Sequence, residues 1–165
     1  MAVQQDFTPE EWAEIVSAPL FASVAVSAAE PGGLWGTLQE GYANASSIVG
    51  GRSHDIALVR DVVGSLSTAD GRQLAQDRLK ARISDRQREQ IVTACLAGLE
   101  DIGRIAEAKA GKDAAGFKAW IRDSAVAVAE AANEGGFLGF GGEKVSKKER
   151  ATLQQISSAL GVETA

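Results

Sequence analysis

Signals that start helices recur along this 165-residue chain, while the alternating patterns that mark strands are nearly missing. Thr8-Pro-Glu-Glu11 is a capping box with proline at the first helical position, and Phe7 is placed to staple against Trp12. Ser84-Asp-Arg-Gln87 repeats the box, and Ser146-Lys-Lys-Glu149 opens another capped helix. A chain punctuated in this way packs helix on helix, and one of this length buries a real core. The reading is an all-α fold: a single compact helical bundle of about seven or eight helices, with residues 1–165 as one domain.

The pattern between these signals predicts the elements. The first helix should stop near Ala18, because Pro19 disfavours helical geometry in the residue before it. A second runs to Ala29 and ends at Glu30-Pro-Gly-Gly33. Leu34 to Val49 and a short helix capped by Ser53 follow, then a turn at Ser67–Gly71 and a polar helix from Arg72 to Arg82. The longest helix, Asp85 to Ala110, carries Ile91, Cys95, Leu99, Ile102 and Ile105 as one apolar stripe. Asp113 can cap the next, which holds Phe117, Trp120 and Ile121, and the last runs from Lys147 to Leu160 and closes on Gly161.

Composition removes several function classes. With 45% apolar and 24% charged residues the chain has the balance of a soluble globular protein. A net charge of -5 argues against general nucleic-acid binding, which needs excess Lys and Arg to neutralise phosphates. The single cysteine, Cys95, excludes an internal disulfide and suits a reducing cytoplasm. The longest apolar stretch, Pro19 to Ala29, is too short for a bilayer span of roughly 20 residues, so no transmembrane segment is expected.

Most catalytic constellations lack their residues. His54 is the one histidine, too few for paired Glu-x-x-His metal ligands or a zinc site, and no Gly-x-Ser-x-Gly elbow accompanies it. It reads as a residue at a helix start, and Cys95 as a small hydrophobe on the apolar stripe. Glu100, Asp101, Glu107, Asp123, Glu130 and Glu134 read as helix-surface charge, with Arg104, Lys118 and Arg122 as local partners. Arg78 and Arg82 share a helix face at i, i+4 within a basic run from Arg72 to Arg88, which would suit an acidic partner.

Gly135-Gly-Phe-Leu-Gly-Phe-Gly-Gly142 stands apart: five of its eight positions are glycine, so it is not ordinary helix. It precedes a helix start, yet no Lys-Ser or Lys-Thr follows Gly141 and no strand precedes it, so the phosphate-cradle pattern is absent. Phe137, Leu138 and Phe140 either pack back onto the bundle or form an apolar knob for a partner or a membrane surface.

Phe117-Lys-Ala-Trp-Ile121, then Ala129 through the glycine stretch to Gly142, then Val145-Ser-x-x-Glu149, resembles a group of small helical bacterial proteins without an assigned function. The run from Gly142-Glu-Lys-Val-Ser-Lys-Lys-Glu149 to Leu160-Gly-Val162 is also similar to the helix start of tellurite-resistance-protein-B-like domains. That resemblance implies an all-helical fold, stress responses and metal-dependent, membrane-proximal complexes. Only Glu143 and Glu149 match its acidic positions, since Gly141-Gly142 stands where such domains usually carry Asp-Gly.

The expectation is a cytoplasmic, non-enzymatic module with no catalytic residues and no cofactor. It binds another protein or itself through Phe137, Leu138 and Phe140. The alternative is a metal-responsive stress protein holding one divalent ion near Glu130, Glu134, Glu143 and Glu149. A third class is an enzyme acting through buried carboxylates in a bundle cavity.

Overall fold

The computed structural model describes residues 1–29, 50–83, 87–134 and 145–164. Among them are six α-helices: α1 (Pro9–Ala29), α2 (Ala57–Leu66), α3 (Ala69–Ile83), α4 (Arg88–Lys109), α5 (Ala114–Glu134) and α6 (Lys147–Leu160). Three single 3₁₀ turns, Gln4–Asp6, Gly51–Ser53 and Gly111–Asp113, join or precede them. The all-α expectation holds. The count differs from seven or eight for an identifiable reason, and the helix expected over 34–49 lies outside the described residues.

That reason is α1, which runs unbroken through Pro19 where two helices were expected. Proline removes the bond its N–H would give the Ile15 carbonyl, a cost of about 3 kcal/mol in a helix interior. Burial outweighs it. Sixteen of the 21 residues of α1 are buried, on every side of the helix, and α2, α3, α4, α5 and α6 all pack against it. Continuity also makes α1 long and apolar enough, by length and composition, to cross a bilayer, but 83% of its apolar window lies buried within the bundle. Its start is as read: the Thr8 N–H donates to Glu11 Oε2 at 2.8 Å, the Glu11 N–H to Thr8 Oγ1 at 3.2 Å, and the Phe7 and Trp12 rings lie 6.0 Å apart.

Pairs along the helices fix their directions. Glu11 meets Lys109, Phe21 lies against Gly98, and Ala28 and Ala29 approach Val92, so α1 and α4 run antiparallel. Gly111, at φ 51°, turns the chain from α4 into α5, and Lys118 then pairs back with Glu107. Gly103 of α4 sits against the backbone of Ala159 and Leu160, while Lys148 neighbours the first turns of α4, so α6 runs parallel to α4. Asp113, expected as a helix cap, instead accepts the Ala2 N–H at 2.9 Å and ties down the N-terminal arm.

Candidate functional site

The residues expected to make the partner contact, Phe137, Leu138 and Phe140, lie outside the described residues, as does Glu143. What surrounds them in sequence is described. The backbone of α5 ends at Glu134, and α6 starts at a closed cap: the Ser146 N–H donates to Glu149 Oε2 at 2.8 Å, and the Glu149 N–H to Ser146 Oγ at 3.1 Å. Glu149 is only 3% exposed. Its carboxylate serves the capping box, while Glu130 faces solvent. Among the described residues no group of three or more His, Cys, Asp or Glu side chains could hold a metal ion.

The antiparallel packing of α1 against α4, with α6 parallel to α4, gathers three helix termini at one end of the bundle. These are the end of α1 and the starts of α4 and α6. A groove of about 440 Å³ opens there. Its floor is apolar, from Ala28, Ala29 and Val92, and its rim is polar, from Arg88, Glu89, Thr93, Lys148 and Gln155. An apolar floor inside a polar rim is the usual composition of a recognition groove. Val145, which follows the glycine stretch, directly precedes the cap of α6, whose first turn lines this groove.

A second cluster, centred on Glu14, escaped the sequence reading. Glu14 is 5% exposed, on the otherwise apolar α1. Its Oε1 accepts from Arg78 Nε at 2.7 Å, from Arg78 Nη2, and from Arg82 Nη2 at 3.0 Å. Arg82 Nη2 also donates to Asp101 Oδ2 at 2.8 Å, and Arg104 closes on Asp101 at 3.1 Å. The acidic group that Arg78 and Arg82 face is therefore internal. Burial alone would lower the Arg82 pKa, but its hydrogen bonds to Asp101 and Glu14 raise it above the usual guanidinium value. Glu14 Oε2 is buried without a hydrogen-bond partner. The only sequence signal was a carboxylate set between Trp12 and Val16 inside an apolar helix.

The remaining candidates settle into structural roles. His54 Nδ1 accepts the Ile56 N–H at 3.2 Å as the chain enters α2. Cys95 is fully buried, and desolvation pushes its thiol pKa up to about 12. So protonated a sulfur is a poor nucleophile at neutral pH. Lys118 is buried against the exposed Glu107, and its ammonium holds that carboxyl below its ordinary pKa.

Compared with known proteins, the chain matches no family model, no curated protein and no solved structure.

Proposed function

We propose that this chain is a non-enzymatic interaction module that binds another protein, or a second copy of itself, through the glycine and phenylalanine stretch 135–142. The observation that supports this reading most is the groove lined by the first turns of α6, the helix that begins just after the glycine stretch. Its apolar floor and charged rim would let a partner that engages Phe137, Leu138 and Phe140 extend onto the bundle. Large aromatic and aliphatic anchors beside a polar rim carry most of the energy of such contacts.

The test uses the full chain and a Phe137→Ser, Phe140→Ser variant. Helicity and thermal midpoint should match, since neither position belongs to the described core. Self-association by sedimentation, and capture of partners from the native cell, should fall at least about tenfold, the loss of one hot-spot residue. Unchanged association in a folded variant removes the loop as the contact.

A further inference from the structure

The helix that covers Glu14 is held unlike its neighbours. The buried positions of α3 are Gly71, Ala75, Leu79 and Ile83, a line one residue wide recurring every fourth position. The first two bring almost no apolar area, and the last two sit at the rim, each 8% exposed. Its first turn is anchored on the end of α2. The Gly71 N–H donates to Thr68 Oγ1 at 3.0 Å, and Arg72 donates to the Leu66 carbonyl at 3.2 Å. Its second half is held by charge: Arg78 and Arg82 on Glu14, and Arg82 on Asp101.

We propose that α3 is a releasable strap, anchored at its start and latched over α1 by the grip of Arg78 and Arg82 on Glu14, whose second half lifts as a unit when that ionic latch is loosened. Three features favour such an opening. The latch is reachable by ions, because the Arg78 and Arg82 side chains are 39% and 24% exposed. Lifting α3 does not strand a buried charge, because both arginines and the cover leave Glu14 together and water replaces them. Water then also reaches Oε2, which has no partner in the closed state. A natural reporter lies close by: the Arg82 guanidinium is 6.0 Å from the Phe21 ring centre, Phe21 packs on Gly98 of α4, and the fully buried Cys95 lies one turn before Gly98.

Native-state amide exchange and labelling of Cys95 with an aromatic disulfide reagent, both on the intact chain, test this directly. The amides of 76–83 should exchange together, with less protection than those of α1. Cys95 labelling, normalised to a small free thiol, should rise about tenfold between about 0.05 M and about 1 M NaCl, with urea unfolding nearly unmoved. Arg78→Gln, a change at a partly exposed side chain, should speed labelling at low salt and flatten its salt response. Three results would each overturn the strap: exchange of 76–83 only with global unfolding, labelling indifferent to salt and to Arg78→Gln, or equal salt effects on labelling and on unfolding.

Discussion

Two glycines with close neighbours separate what backbone and side chain can tolerate. A methyl at position 71 would lie 2.0 Å from the Ser65 carbonyl oxygen, and one at position 116 would lie 2.1 Å from Ile56 Cδ1. Alanine in place of glycine in a helix gains about 1 kcal/mol in either case. At 71 the obstacle is main chain, where α2 hands over to α3, and overpacking against it costs about 3 kcal/mol. At 116 the obstacle is the end of a half-buried side chain that can turn away, at an off-rotamer cost of about 1 kcal/mol. Gly71→Ala should therefore destabilise by about 2 kcal/mol in urea titration, and Gly116→Ala should lie near zero. A second prediction at this scale concerns Glu107. Its folded pKa is lowered by the hydrogen bond and charge of Lys118, so its contribution is present above the unfolded carboxyl pKa and is lost as pH falls through the folded one. Solvent screens this exposed carboxyl, so the effect is small. Glu107→Gln should flatten the acid limb of stability below the ordinary carboxylate range and change its slope little near neutrality.

At the scale of elements, local signals located some helices well and failed where tertiary packing overruled them. α6 runs from its Ser146 cap to Gly161, at φ 64°, as read, because cap and stop are both local chemistry. The start of α4 is less local. Its observed box joins the Gln87 N–H to Gln90 Oε1 at 3.2 Å, and the expected box, Ser84–Gln87, includes residues 84–86, which lie outside those described. α3 begins at Ala69, earlier than Arg72, because Thr68 caps it. The break expected at Pro19 is absent because burial around α1 depends on five helices that no local window contains. The Glu14 cluster was hidden for the same reason, since Arg78 is 64 positions from its partner. Pro19→Ala isolates the conflict. Restoring the helix bond and propensity gains about 3 kcal/mol, while losing two buried methylene equivalents costs about 2. The variant should be slightly more stable than the parent, by about 1 kcal/mol in urea, and a clear loss would show that the ring's packing holds α1 in place.

At the scale of the molecule, the bundle is a hub and not a ring. α1 touches each of the other described helices, whereas α3 meets its neighbours along one narrow edge. Cooperativity should follow that asymmetry, because a cavity in the hub is shared by every interface while a cavity under α3 is local. Phe21 is fully buried, beneath Arg82 and against Gly98, and Phe21→Ala should cost about 3–5 kcal/mol. Set against a total of about 5–15 kcal/mol for a domain, that loss brings the whole fold near its threshold. Leu79→Ala, at the rim of α3, should cost about 2 kcal/mol, the low end for a buried leucine. The two should also differ in kind. In amide exchange, Phe21→Ala lowers protection throughout α1, α4 and α5 together, and Leu79→Ala lowers it first in 76–83 with α1 nearly unchanged. If Leu79→Ala weakened α1 as much as α3, the edge would belong to the same cooperative unit as the hub, and the asymmetry of burial would carry no mechanical meaning.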